Sequence, residues 1–520
     1  APDASEFLNV IEQVEWSGEA LRIKVPEGFA FYALYPEQYD VTARHWSENR
    51  RSSTRNVLVV GIRSIGTTLS AVVTETLRSE GWRVRRVTVR PYGHPYDRVA
   101  TLDPEAIRDA EFAIVVDEGP GRSGSSMAAV ARCLSEHGFA PERVTFFPAH
   151  GHDPGPETSA EVQKCWSETE RCVTSLREMC WNKCTLVQLL AKRTAIQFQS
   201  EVIATHDLGA GNWRAHAFAA QEEWPAAGIP FERAKYLQEL ANGRRLLWKF
   251  NGFATFAGGA EEVPDLLSKF GTQKNSAIVC ISPLDSFHGF SAFPWIEGRR
   301  LCPGDLDDSL VAGLLQYIVR GVGPELPGEE ALAAVDRLAE MLFFNAKEML
   351  GETATAQISL LAQAARSVVK PCHSYGDGRL QPHEFIRDSQ GMVFKADWCG
   401  HDSDHTIVGR QSWLWDVAGL LVEWRPEAGF RESLIDQLRA CQAFDNKALR
   451  FYCAAYTAFR AGVMTFSEAS ASAADQLRIQ RAKDCYRLAI QHWLDDQSLG
   501  QRHNLSALAL PNGDLQSSCG

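Results

Sequence analysis

Two adjoining acids, Asp117 and Glu118, stand where an apolar run ends and a Gly/Ser-rich stretch begins, in FAIVVDEGPGRSGSSMAAVARCL. Residues of these types can bind anions and sugars. Gly119, Gly121 and Gly124 permit tight or positive-φ backbone, so successive amides and the hydroxyls of Ser123, Ser125 and Ser126 can converge on one phosphate at a helix start. Asp117 and Glu118 can then hold the two hydroxyls of a sugar or a hydrated Mg²⁺. The competing reading is an ordinary strand-to-helix turn whose serines cap the helix. Two acids ahead of the loop favour binding.

The elements that must position these groups follow from the alternation of short apolar runs with helical patterns. NVLVVG, WRVRRVTVRP, EFAIVVDEG and RVTFFP read as strands, with helices from about 67 to 80 and up to His137. This is βαβ grammar, and the expected fold class is α/β, with a doubly wound N-terminal domain.

The strand, two acids and Ser-Gly-x-Ser loop resemble the signature of the type I phosphoribosyltransferases, over roughly the first 150 residues. The loop is one residue longer than the family's common form. The resemblance implies that Asp117 and Glu118 contact the ribose hydroxyls, and that Arg122, Ser123, Gly124, Ser125 and Ser126 hold the 5-phosphate of phosphoribosyl pyrophosphate (PRPP). It also implies a pyrophosphate site after an earlier strand. There, NVLVVGIRSIGTTLSAVV supplies Arg63 and Ser64, with Arg63 placed for charge-assisted hydrogen bonds. Arg86, Arg90, His94 and Arg98 form a basic stretch that can close over the ligand or be solvated surface.

A second constellation runs through the C-terminal half, which resembles the aminoglycoside phosphotransferase group of small-molecule kinases over about 213–499. The landmarks occur in order: Lys249 in RRLLWKFNGF, Glu297 ending the segment FHGFSAFPWIEG, the loop YGDGRLQPHEFI, then VFKADWCGHDSDH and WLWDVAGLLVEW. The resemblance implies ATP contacts from Lys249 and Glu297, Mg²⁺ coordination by Asp397, and Asp416 as a buttress of the catalytic loop. That loop departs from the family's His-Gly-Asp-Leu-His-x-x-Asn. Aligned without gaps, Arg379 falls at the catalytic Asp and Glu384 at the Asn. With a two-residue insertion, Asp377 becomes the base and Glu384 a Mg²⁺ ligand. His401, Asp402, Asp404 and His405 add candidate ligands or a polar turn. Gly209 and Gly211 are a faint candidate for a nucleotide loop.

Length and composition bound the rest. A chain of 520 residues, 45% hydrophobic and 23% charged, has ample core for two or three domains. The expected division is 1–155, phosphoribosyltransferase-like; 156–211, a helical connector; 212–505, a bilobal α+β kinase-like domain; and 506–520, a tail. A net charge of −12 argues against a broad nucleic-acid surface. With no apolar run of bilayer length and no secretory pattern at the start, the expectation is a cytoplasmic protein. Its expected partners are PRPP, ATP, Mg²⁺ and an unidentified small-molecule acceptor, with a homodimer as an open assembly. Among the 13 cysteines, Cys165, Cys172, Cys180 and Cys184 fall at steps of seven, eight and four, which would share a face of one continuous helix.

Overall fold

The computed structural model describes residues 27–495 apart from 51, 53, 122, 156, 182, 254–276, 322–324, 352–354, 369–371, 374–376, 399–410, 442–443 and 469–470. The expectations for Arg122, for His401, Asp402, Asp404 and His405, and for the tail lie outside the described residues.

Uninterrupted apolar runs make strands that must be covered on both faces. In chain order the first unit comprises α1 (Glu27–Ala30), α2 (Pro36–Glu48), β1 (Asn56–Ile62), α3 (Ile65–Ser79), β2 (Arg83–Val89), β3 (Tyr92–His94), β4 (Asp97–Val99), α4 (Pro104–Ile107), β5 (Phe112–Val116), α5 (Ser125–Glu136), β6 (Val144–Phe147), α6 (Ala160–Glu168) and β7 (Glu170–Arg171). Five strands pair in parallel in the order β2-β1-β5-β6-β7, and β3 and β4 form a separate hairpin. The period of two divides the strand residues cleanly. Val57, Val59, Ile114 and Val116 pack with Tyr39, Trp46, Leu69 and Val73 of α2 and α3. Leu58, Val60, Ala113 and Val115 pack with Met127, Val130, Leu134 and Trp166 of α5 and α6. The sheet is therefore doubly wound.

The second unit begins earlier than the sequence pattern suggests. The hairpin β8 (Cys180–Trp181) and β9 (Cys184–Thr185), then α7 (Leu186–Phe198), lead into β10 (Val202–Asp207). After α8 (Arg214–Ala217) come β11 (Lys235–Leu240), β12 (Arg245–Phe250), β13 (Ile278–Cys280), β14 (Asp285–Phe287), β15 (Phe290–Pro294) and β16 (Arg299–Arg300). One antiparallel sheet has the order β10-β11-β12-β15-β14. The stretch 156–211 is thus no helical connector, because β7 closes the first sheet and β10 opens the second. Nor do its cysteines share one helix: Cys165 lies on α6, Cys172 follows β7, and Cys180 and Cys184 sit in the β8–β9 hairpin. A helical spacing of thiols is insufficient evidence of a helix where turns interrupt it.

The remainder is largely helical: α9 (Asp308–Gly321), β17 (Glu325–Leu326), α10 (Gly328–Leu350), α11 (Thr355–Val368), β18 (Cys372–His373), β19 (Phe385–Arg387), β20 (Val393–Lys395), α12 (Leu414–Trp424), α13 (Ala428–Cys441), α14 (Asn446–Glu468) and α15 (Ala473–Asp495). The short strands form a β13-β20-β19-β16 sheet and a β17–β18 pair. Helix α14 is the axis of this half, with Phe451, Tyr452, Ala455, Tyr456 and Ala458 buried and α10, α11, α12 and α15 packed round it. Among the described residues no helix is long and apolar enough to cross a membrane.

Candidate functional site

In the first sheet the chain passes from β1 outward to β2, then returns to build β5, β6 and β7 on the other side. The carboxyl ends of β1 and β5 therefore flank a topological switch point, where the following loops diverge and leave a crevice. Two glycines let α3 lie hard against the strands here. A Cβ at Gly66 would stand 2.5 Å from the Val116 carbonyl oxygen, and one at Gly61 would stand 2.3 Å from Ser70 Oγ.

Asp117 and Glu118 leave β5 at this crevice with their main chain pinned. Tyr39 on α2 donates its hydroxyl to the Asp117 carbonyl at 2.8 Å, the Asp117 amide donates to Phe147 at 3.3 Å, and the Ala149 amide donates to the Glu118 carbonyl at 3.2 Å. Loss of hydration pushes Asp117 up to about 7. Glu118 rises to about 8 through loss of hydration, then repulsion from Asp117 and Glu27. Two desolvated carboxylates side by side are poorly compensated, and a cation or a pair of sugar hydroxyls would relieve them. Two carboxylates suffice only for a Mg²⁺ that keeps most of its water shell, since neither here nor elsewhere among the described residues do three His, Cys, Asp or Glu side chains gather to hold a metal ion.

The loop that follows differs from an open phosphate cradle. The Gly119–Pro120 peptide is cis, and Gly121 and Gly124 have φ near +58° and +59°. Only glycine fits at 124, since a Cβ would lie 2.5 Å from both Pro154 and the Trp166 indole nitrogen. The Gly124 amide donates to the Pro120 carbonyl at 3.0 Å. Ser125, 1% exposed, donates its hydroxyl to Pro95 at 2.6 Å. Gly124 and Ser125 are thus spent inside the protein. Ser123 and Ser126 keep part of their surface at the start of α5, Ser123 Oγ lying 3.0 Å from Ser125 Oγ.

On the neighbouring loop Arg63 and Ser64 are exposed, joined by a cis peptide, and Arg63 Nε donates to Thr88 at 3.1 Å. Arg86 is fastened to α3, through Thr67 O at 2.7 Å and Ser70 Oγ at 3.1 Å, and Arg98 and His94 belong to the β3–β4 hairpin. That hairpin is tied to α5 by Ser125 and by Arg132, which donates to the Arg98 carbonyl at 2.9 Å. The basic stretch is therefore a held hairpin, not an open loop. Sequence reasoning missed Tyr39, and also the loop after β6, whose Ala149 amide bonds the Glu118 carbonyl and which carries His150 and His152 with their rings 5.1 Å apart. The end of the next strand, RVTFFP, was the signal for that loop.

In the second unit Lys249, on β12, is ion-paired with Asp397, which follows β20. Lys395 on β20 is 0% exposed. Its ammonium lies 2.8 Å from Glu384 and 3.2 Å from Asp377 and donates to the Asp397 carbonyl. Asp377 is also 0% exposed and accepts from the Tyr317 hydroxyl at 2.5 Å and the Arg379 amide at 3.1 Å. Asp416 on α12 accepts the Gly378 amide at 2.7 Å and is pushed up to about 7 by burial, then by Asp377. Trp415 and Trp424 donate to the Gly378 and Leu380 carbonyls, completing the buttress under this loop.

Three expectations change on this geometry. Asp377, sealed between Lys395 and Tyr317, presents no carboxylate to an acceptor. Glu297, with a side chain 69% exposed, pairs with Arg245 at the opposite end of β12 from Lys249. Glu384 and Asp397, the expected Mg²⁺ ligands, each hold an ammonium. Among the described residues no group of three His, Cys, Asp or Glu side chains could hold a metal ion. Of the donors expected in this unit, the described ones alone do not make a Mg²⁺ site.

Gly209 and Gly211 open no phosphate flap either. They begin a segment, 208–234, that crosses to the helical half: Arg214 pairs with Asp475 at 2.7 Å, Arg478 donates to Gln221 O at 2.9 Å, and Trp213 stacks on His383 at 5.6 Å.

No protein-family model and no curated protein matches the chain. Among solved structures, it is similar to the choline kinase LicA from Streptococcus pneumoniae (14% identity over 58% of this chain and 99% of that one, TM-score 0.34). It is also similar to the macrolide 2'-phosphotransferase MphH from Brachybacterium faecium (10% identity, 57% and 98%, TM-score 0.35) and to the aminoglycoside phosphotransferase APH(4)-Ia (11% identity, 59% and 98%, TM-score 0.35).

Proposed function

We propose that the first unit binds PRPP and transfers its ribose 5-phosphate to a small-molecule nucleophile, and that the second is a kinase-like, nucleotide-binding domain without phosphoryl transfer of its own. The carrying observation is the placement of Asp117 and Glu118, raised and desolvated, at the switch point of a doubly wound sheet. Their carboxylates would accept hydrogen bonds from the two ribose hydroxyls and orient C1 towards the nucleophile. Arg63 follows β1, which pairs with β5 through Gly61 and Val116, and would serve the departing pyrophosphate from that neighbouring strand end. Mg²⁺, when bound, supplies charge neutralisation of that leaving group. Positioning and electrostatics do most of the work in such a displacement.

Two features speak against phosphoryl transfer in the second unit: Asp377, whose burial removes the expected base, and Arg379, which takes the family aspartate's place when the loop is aligned without a gap. A regulatory PRPP-binding protein is the second reading, favoured by the internal hydrogen bonds of Gly124 and Ser125, which take donors away from the phosphate loop. Phosphorus NMR of PRPP incubated with the protein, Mg²⁺ and a panel of nucleobase and amine acceptors separates the two. Release of pyrophosphate that is lost in the Asp117→Asn, Glu118→Gln variant is the expected result. Retention of intact PRPP with every acceptor would favour the regulatory reading.

A further inference from the structure

The first sheet ends on a strand with one side open. β2 stands last in the order β2-β1-β5-β6-β7, and among the described residues it pairs with β1 alone. Its Arg83 amide donates to Arg55 O and its Val89 carbonyl accepts from the Arg63 amide, both at 2.8 Å, so alternate residues from Arg83 to Val89 turn their main chain towards β1. Val84, Arg86 and Thr88 turn theirs to the open side. Arg78 of α3 reaches round to that side and donates to the Val84 carbonyl at 3.3 Å. A groove of about 430 Å³ runs there, with Thr74, Glu75 and Arg78 of α3 as one wall and Val84, Arg85 and Arg86 of β2 as the other.

The charge along this edge is one-sided. Arg83, Arg85 and Arg86 are exposed, and among the described residues none pairs with a carboxylate: Arg85 donates to the Glu105 carbonyl, and Arg86 to Thr67 O and Ser70 Oγ. Neutral acceptors leave the positive charge uncancelled. Glu75, the acid lining the groove, is already held by Arg78 at 2.7 Å. Charged residues on an edge strand also serve simply to prevent pairing. That repulsion acts on a second copy, because two β2 edges brought together would set arginine against arginine. An acidic strand meets no such barrier, and a free edge flanked by a helix is the geometry that accepts an added strand.

We propose that this edge takes an extended acidic segment of a partner protein as a sixth strand, seated between α3 and β2, its main chain along Val84 to Thr88 and its carboxylates on Arg83, Arg85 and Arg86. Main-chain pairing supplies affinity, and the arginines select for acid. A nucleic acid would answer the charge but not the amides and carbonyls of the edge. The groove lies along the first half of β2, whereas Asp117 and Glu118 follow the carboxyl end of the parallel β5, so the two sites are separate.

Fluorescence anisotropy of the full-length protein with a labelled octapeptide of alternating Glu and Val, at low salt, tests it. Saturable binding is expected, weakened about tenfold or more by Arg83→Glu with Arg85→Glu and absent for the corresponding Lys-Val peptide. Hydrogen exchange read by mass spectrometry supplies the second arm: amides of the Arg83–Val89 stretch are expected to exchange more slowly with the peptide bound. No binding of the Glu-Val peptide, or binding unchanged in the double variant, would overturn the proposal. Binding with unaltered exchange over that stretch would also overturn it, reducing the edge to a charged surface. A single-stranded DNA of equal charge that binds as tightly and is lost in the same variant would replace the acidic strand by nucleic acid. Both substituted arginines are exposed, and the wild-type exchange and DNA arms keep the test independent of the variant's folding.

Discussion

Asp117 and Glu118 carry a cost that the rest of the fold must offset. Both carboxylates titrate above their ordinary 3.8 and 4.5, at about 7 and about 8, so the folded protein binds protons that the unfolded chain has already released. Stability from these groups is therefore fully present at low pH and is lost as pH rises through the folded values. Asp117→Asn with Glu118→Gln removes that dependence. The variant is expected to melt at higher temperature than the wild type at pH 8, with an advantage that shrinks towards about pH 4. An equal or lower melting temperature at pH 8 would contradict the assigned environment. The same two residues were legible in the sequence, because acids after an apolar run and before glycines are uncommon. The fate of Ser125 was not legible: its partner, the Pro95 carbonyl, lies 30 residues away in a hairpin whose docking on α5 no local pattern encodes. Asp377 failed for the same reason, since the Tyr317 and Lys395 that seal it come from distant elements.

At the scale of elements, the segment between β10 and β11 departs furthest from a nucleotide-binding flap. It straps the five-stranded sheet to α15 through Arg214, a guanidinium with a side chain 2% exposed that makes a two-pronged pair with Asp475 and sits over the Trp224 ring. Removing Asp475 leaves the buried Arg214 guanidinium without its carboxylate, whereas removing Arg214 leaves Asp475 paired with Arg478 at 3.2 Å but empties the seat over Trp224. Arg214→Ala or Asp475→Ala is expected to cost roughly 3 kcal/mol in denaturant unfolding, and the double variant clearly less than the sum of the two. Additive losses would mean that the strap is not held by this pair. The first unit's elements were readable because β1, β5 and β6 are short runs of apolar residues and α3 and α5 follow them at once. The strap was not, because its glycines carry no record of whether they face a ligand or the opposite lobe. The expected helix of cysteines failed because steps of seven, eight and four are also met by turns and hairpins.

The whole molecule is tied together at one helical turn. Tyr39 on α2 bonds the carbonyl of Asp117, while Tyr35, at the N-cap of the same helix, donates to His288 O at 2.5 Å and packs edge-on against Trp181, Phe250 and Phe253. Phe250 adjoins Lys249. The cluster of Tyr35, Met179, Leu186, Trp248, Phe250 and Phe290 joins the first unit, the β8–β9 hairpin and the antiparallel sheet in one apolar core. Tyr35→Ala is expected to destabilise the protein by roughly 3–5 kcal/mol and Tyr35→Phe by about 1 kcal/mol, measured by urea unfolding. A negligible effect of the alanine variant would mean that the two halves do not depend on this junction.

Calorimetric titration of PRPP into the full-length protein, with and without Mg²⁺, on the wild type and on Asp117→Asn, Glu118→Gln, probes the sugar site itself. Mg²⁺-dependent binding to the wild type, lost in the variant while its fold is retained, is the expected result; unchanged affinity in the variant, or no binding of PRPP to the wild type, would rule out the sugar site at Asp117 and Glu118.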